Sequence, residues 1–285
     1  MIERVFAWMD LDDDASSEAR LRSFRWVVGL ALFAEILAHV DSSRWGYALA
    51  SGVAAALGCW RRTERVGSAA TLSCTVAWGA LFYPAVANHL HLLALLAGVL
   101  AFVDARRPAE RRLALSFIRW YTCIFILWTG LQKVWWGLYF DGRYLAYLTA
   151  SLENYATALR WLFPDAEIDR LAALDRNTPG SGPFRVESFG FVALSNAIWL
   201  TELVQPVLLA LACTRRWGVL LGIAMMLGMQ LFAREVVFGT IAISMILLFA
   251  RQDWLPRLLP LWIVLYAWLV LTLHNLPPTP HLIFY

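Results

Sequence analysis

Trp120–Gly137 reads WYTCIFILWTGLQKVWWG, an apolar run that holds Lys133. A bilayer-crossing helix needs roughly 20 such residues, and the preceding Leu115–Arg119 supplies the remainder. The chain has 24 Lys and Arg residues together, and Lys133 is the one lysine among them. Arg stays protonated essentially always, whereas a desolvated Lys can give up its proton and act as a base or nucleophile. An ionisable group inside a membrane segment is therefore a functional candidate. The competing reading is a Lys near a helix end that snorkels to the headgroups.

Composition extends this reading to the whole chain. With 60% hydrophobic residues, a mean hydropathy of +0.59 and 15 Trp in 285 residues, the expectation is an all-α, polytopic membrane bundle rather than a soluble domain. Apolar segments fall near Phe24–His39, Trp45–Trp60, Ala69–Ala87, Leu90–Val103, Leu115–Trp136, Phe189–Cys213, Trp217–Phe232, Val236–Ala250 and Leu258–Leu273. The second and fourth are short, so eight to nine spans are expected within a single domain over 1–285. Residues 1–22 read as a short cytosolic arm. It is acidic at Asp10, Asp12, Asp13 and Asp14 and has no apolar stretch of the kind that a cleavable leader needs.

Arginines mark alternate connections. They stand at Arg20, Arg22 and Arg25, at Arg61, Arg62 and Arg65, and at Arg106, Arg107, Arg111 and Arg112; Arg215, Arg216, Arg251 and Arg257 complete the set. The other connections hold Asp41/Arg44, Asn88/His89, a long near-neutral stretch and Arg234/Glu235. Positive-inside bias then places the N-terminus in the cytosol and the C-terminus outside. The net charge of +3 reports this orientation and gives no reason to expect nucleic acid. His39, His89, His91, His274 and His281 all fall toward the outer side. Cys59, Cys74, Cys123 and Cys213 all avoid the outer connections, so no disulfide is expected, and no cysteine pair has metal or redox spacing.

The long connection, 138–188, is expected outside. Leu145, Leu148, Leu152, Tyr155, Leu159 and Leu162 recur at steps of three and four, which predicts one amphipathic helix ended by Pro164. Such a helix would roof the bundle from the outer interface or meet a peptide or membrane-protein partner.

Polar residues within the apolar segments gather around Lys133. Thr129 and Gly130 sit one turn before it, and glycine permits close approach of a backbone or ligand. Trp135, Trp136, Tyr139 and Phe140 follow as an aromatic collar, the pattern both of a substrate site and of an ordinary interfacial belt. His89 lies two residues from His91, a spacing that puts them on different helix faces and argues against a shared metal. Next to Asn88, His89 suits a hydrogen-bonded polar site; capping is the alternative role for Asn88. Glu202 lies in mid-segment, where Asn196, Trp199, Glu202 and Gln205 drift around one side, and Pro206 frees the Glu202 carbonyl. A Lys133–Glu202 ion pair would satisfy both charges. Glu35, Gln230 and Arg234 are further candidates for a polar interior.

Ala87-Asn88-His89, Asp104-Ala105-Arg106 and Phe125–Leu145, the last with Gly130-Leu131-Gln132-Lys133 and Asp141-Gly142, resemble the membrane domain of vitamin K-dependent gamma-carboxylase. That domain is also called the horizontally transferred transmembrane domain. Leu200–Leu203 and Gln230–Phe232 resemble it more faintly. The resemblance implies Lys133 as the base that deprotonates a quinol, His89 at the same site, and a vitamin K hydroquinone-like cofactor. The chain departs from the family at Met225 and Met226, and at Tyr139 and Phe140. With the sequence read to Tyr285, no large extracytoplasmic portion to hold a protein substrate is expected, so a quinone-like headgroup site is the expectation in preference to full glutamate carboxylation. On this reading Lys133, His89 and Glu202 are catalytic, while Asn88, Thr129, Gly130, Trp135, Trp136 and Gln230 contact a lipid-soluble substrate, with no metal. The alternative is a non-catalytic accessory subunit for maturation or export of a secreted peptide. A transporter is disfavoured, because no internal repeat is present.

Overall fold

The computed structural model describes residues 14–39, 44–82, 88–174, 177–180, 182–233, 235–250 and 254–273. The first thirteen residues of the expected arm, Arg234, His274 and His281 lie outside this set. Among the described residues the fold is all-helical. The helices are α1 (Asp14–His39), α2 (Trp45–Cys59), α3 (Glu64–Leu81), α4 (Asn88–Phe102), α5 (Pro108–Trp136), α6 (Arg143–Ser151), α7 (Glu153–Leu159), α8 (Asp165–Ala172), α9 (Phe189–Ala210), α10 (Arg215–Ala233), α11 (Val236–Leu247) and α12 (Trp254–Leu273).

Among the described residues, each of the nine apolar segments lies largely on a helix. Three of these are long and apolar enough to cross a membrane: Pro108–Trp136, Phe189–Ala210 and Trp254–Leu271. Trp45–Cys59, His89–Phe102 and Val236–Leu247 are apolar but shorter. At 1.5 Å per residue a helix of 15 residues reaches about 22 Å, short of a hydrocarbon core of about 30 Å.

The chain forms two compact units, Met1–Tyr121 with Glu235–Phe284, and Thr122–Arg234; α5 runs from one into the other. In the first, α1 packs against α2, α3, α4, α11 and α12. Helices α2 and α3 approach so closely at Gly58 and Gly67 that a Cβ on Gly67 would lie 2.0 Å from the Gly58 nitrogen. Small residues at such a crossing let two backbones pack directly. The arginines of this unit do more than mark a side. Arg25, buried, pairs with Glu64 at 2.7 Å and donates to the carbonyls of Leu100 (3.1 Å) and Val103 (2.6 Å) at the end of α4. Arg111 donates to Ser17 Oγ and to the Ala105 carbonyl, and Arg61 and Arg22 both engage Glu18. These contacts tie the arginine-rich ends of α1, α3, α4 and α5 together, and they satisfy last-turn carbonyls that a helix end leaves open.

In the second unit, α9 starts at Ser188, whose hydroxyl accepts from the Phe191 amide. It continues through Pro206 to Ala210 and doubles back into α10. The 138–188 connection corrects the expectation of a single helix over Leu145–Leu162. Leu152 is extended (φ −133°, ψ 115°), so α6 closes there and α7 opens. Pro164 does not end that helix, which stops at Leu159; it instead precedes the first residue of α8. The break has a packing cause. It lets Leu145 and Ala146 of α6, Ala156 and Leu159 of α7, and Ile168 and Leu171 of α8 converge with Phe184 and Phe191 on one core. A straight helix would have left those side chains as a stripe in need of another surface.

Candidate functional site around Lys133 and Glu202

Lys133 lies in the last turn of α5, which ends at Gly137 in the left-handed region (φ 69°). Its ammonium reaches both carboxylate oxygens of Glu202 on α9, at 2.5 and 2.6 Å. The Glu202 side chain is 4% exposed and that of Lys133 19%, so the carboxylate is enclosed and the lysine is the more accessible partner of the two. Gly130 makes the approach possible. A Cβ there would stand 3.0 Å from the Glu202 Cβ and 3.2 Å from the Glu202 carbonyl carbon, so any side chain would push α5 off α9 at the level of the pair.

Residues after α5 close over the pair. The Tyr139 ring lies 5.4 Å from the Lys133 ammonium, within cation–π range. Ser195 Oγ donates to the Tyr139 carbonyl (2.8 Å), and Asn196 Nδ2 donates to the Phe140 carbonyl (2.9 Å), which fastens the turn to α9. Trp199 Nε1 donates to Asn196 Oδ1, and its ring meets Phe140 edge-on at 5.4 Å. Tyr139 then stacks on Tyr144 (4.8 Å), and Tyr144 on Tyr147 (6.5 Å). Burial pushes the Tyr139 and Tyr144 phenols above their usual range, so both stay protonated, neutral donors at neutral pH.

Other expected site residues separate into distinct groups. The Thr129 hydroxyl donates to the Ile126 carbonyl (2.8 Å) and is engaged within its own helix. Trp135 and Trp136 are 86% and 72% exposed, as fits an aromatic collar at an interface. Gln230, in α10, has both amide atoms buried without a hydrogen-bond partner, and Gln205, in α9, is in the same state. His89 belongs to the other unit, where its Nε2 stands 3.2 Å from Glu35 Oε2. His39 meets the second Glu35 oxygen at 3.6 Å. Asn88 opens α4, and its side chain lies outside the described set. Among the described residues no three His, Cys, Asp or Glu side chains converge as a metal site.

Sequence reading missed two contacts, one in each unit. Ser195 anchors the Tyr139 turn, yet a serine on a helix carries no signal of its distant acceptor. The Glu35–His89 pair joins residues 54 positions apart in sequence, which no spacing rule connects.

Chemically, a pair at this distance can exchange a proton. Passing the ammonium proton to Glu202 leaves a neutral amine beside a neutral carboxyl. Such an amine can accept a proton from an acidic hydroxyl, and the resulting ammonium then faces the new oxyanion with no competing carboxylate charge. Comparison with known proteins finds no matching family model, no matching curated protein and no matching solved structure.

Proposed function

We propose that this chain is an integral-membrane enzyme of the horizontally transferred transmembrane domain family, related to the membrane domain of vitamin K-dependent gamma-carboxylase. In this reading all nine apolar segments cross a bacterial plasma membrane, an odd number that leaves the N-terminus cytosolic and the C-terminus outside. Lys133 is the base. It removes a proton from the hydroxyl of a quinol-like, lipid-soluble substrate while Glu202 keeps the proton that the lysine gave up, and once the substrate proton has passed to water Glu202 returns its own to the amine. Tyr139 sets the position of the ammonium, and the amide of Gln230 is available to a substrate oxygen.

The observation that carries this reading is that the chain's one lysine is held at 2.5 Å by an enclosed carboxylate and is itself the more accessible partner. A purely electrostatic pair does not require lysine in a chain that uses arginine at every other basic position. A second reading, the accessory subunit, draws on the same contact, because an ammonium bonded by both carboxylate oxygens is also what a structural pair needs.

The test is turnover in lipid. Purified protein in nanodiscs is given vitamin K hydroquinone and oxygen, and quinol loss is followed by fluorescence against empty nanodiscs. The enzyme reading expects loss above background that vanishes in Lys133→Ala. Background-level loss with wild-type protein refutes it and leaves the accessory role.

A further inference from the structure

The exposed residues of α9 are Phe189, Ala193, Ala197, Leu200, Val204 and Val207, at steps of three and four, with Gly190 beside the first. Its buried face mixes Ser195, Glu202 and Gln205 with Phe191, Pro206 and Leu209. An entirely apolar exposed stripe opposite a face that holds the helix's charge is the reverse of a helix in water, and it marks the stripe as the side facing hydrocarbon. The stripe continues to the first residue of the helix, where Phe189 is 85% exposed.

Helix α5 does not reach that level. Lys133, in its last turn, pairs with Glu202, which lies 13 residues after Phe189 and so about 20 Å from the start of α9. The chain leaving α5 then bonds α9 at Ser195 and Asn196. Beyond this point the cap formed by α6, α7 and α8 takes the place of α5 beside the outer turns of α9. Gly142 stands against Val186, Phe191 and Val192, and the Phe163 ring packs on Gly190 and lies 5.2 Å from the Phe191 ring. The turn before Phe163 presents Trp161, 88% exposed, and Leu162, 59% exposed. Arg160 next to them is neutralised by Asp169 at 2.6 Å.

We infer that the cap is seated in the membrane, with Trp161, Leu162 and Phe189 forming a ridge that inserts at the acyl–headgroup boundary of the leaflet where α9 begins. The occupant of this surface is phospholipid. The inference rests on the membrane reading of α5 and α9 and not on any catalytic role. The cap's own core makes the placement tolerable, because non-helical backbone survives at membrane depth only where protein shields it. Trp beside Leu and Phe is also the side-chain set that such a boundary favours.

Hydroxyl-radical footprinting of the wild-type protein in phosphatidylcholine nanodiscs, read by mass spectrometry, tests this without a substitution. Trp161 is expected to oxidise at least about fivefold more slowly than in a proteolytic peptide carrying the same residue, as befits a side chain some 5–10 Å into the boundary. Trp128, 59% exposed on α5, is the reference for lipid cover. Oxidation of Trp161 at the peptide rate with Trp128 protected overturns the seated cap and leaves α5 in the membrane. Oxidation of both overturns the membrane reading itself. Protection of Trp161 that rises with the number of protein copies per nanodisc means that a second copy, not lipid, covers the ridge, and this also overturns the proposal.

Discussion

Lys133→Ala removes the hydrogen-bonding partner of an enclosed carboxylate, and its cost follows from the geometry. Glu202 accepts from Lys133 through both oxygens, and its side chain is 4% exposed. Stranding a buried charge costs about 3–5 kcal/mol, but the carboxyl can escape by binding a proton. At pH 7, protonating a group whose ordinary value is about 4.3 costs about 3.7 kcal/mol, and this sets a ceiling on the loss. For a protein of this size, 1 kcal/mol shifts Tm by about 2–4 °C, so Lys133→Ala should lower the apparent Tm in detergent by up to about 7–15 °C. The double variant Lys133→Ala/Glu202→Gln carries no charge to strand and should recover most of that loss. Thermal unfolding of wild type, both single variants and the double variant completes the cycle. A Lys133→Ala shift below about 2 °C, or a double variant no more stable than Lys133→Ala, would refute the enclosed pair, since a solvated pair contributes only about 0–1 kcal/mol.

Three further outcomes follow from the packing and electrostatics. Gly67→Ala should destabilise by about 1–3 kcal/mol by forcing α2 from α3, whereas Gly58→Ala, whose Cβ meets nothing closer than 4.0 Å, should be tolerated; paired thermal melts check the contrast. Gly130→Leu should separate α5 from α9 and abolish quinol turnover while the protein stays folded and monodisperse, as gel filtration would show. The hydrogen bond from Arg61, aided by the charges of Arg22 and Arg111, holds the Glu18 carboxyl below its ordinary value against the opposing effect of burial. Because the folded value is depressed, this contribution is full above the unfolded carboxylate value of about 4.3 and is lost as pH falls through the folded one. Glu18→Gln should therefore flatten the acid limb of the stability–pH curve and leave its high-pH limb unchanged.

How much was legible in the sequence depends on the range of the interaction. The apolar periods around Trp45, Phe189 and Trp254 are local, and each segment is a helix where expected. The Lys133–Glu202 contact was legible because two lone charges in apolar segments have few ways to be satisfied, and Gly130 marked where two helices meet. Leu152 shows the limit. Its place in a three-and-four repeat is the signature of a continuous helix, and only the pull of a core formed with Ile168 and Leu171 makes a break there favourable. Arg25 and Arg111 were legible as markers of orientation, but their burial against Glu64 and Ser17 depends on how four helix ends converge. Trp135 and Trp136 carried a pattern that fits two roles, and their exposure is compatible with both.

The most direct test of the central claim is quinol turnover by Lys133→Arg in nanodiscs, with stability measured on the same preparation. Arg keeps the positive charge and can hold Glu202, but with a pKa above about 12 it cannot take a proton from a substrate. If Lys133 is the base, Lys133→Arg keeps a Tm close to wild type and loses activity by about 10²–10⁴-fold, as far as Lys133→Ala does. Wild-type turnover by Lys133→Arg would contradict the account and leave the pair as a structural tie between α5 and α9.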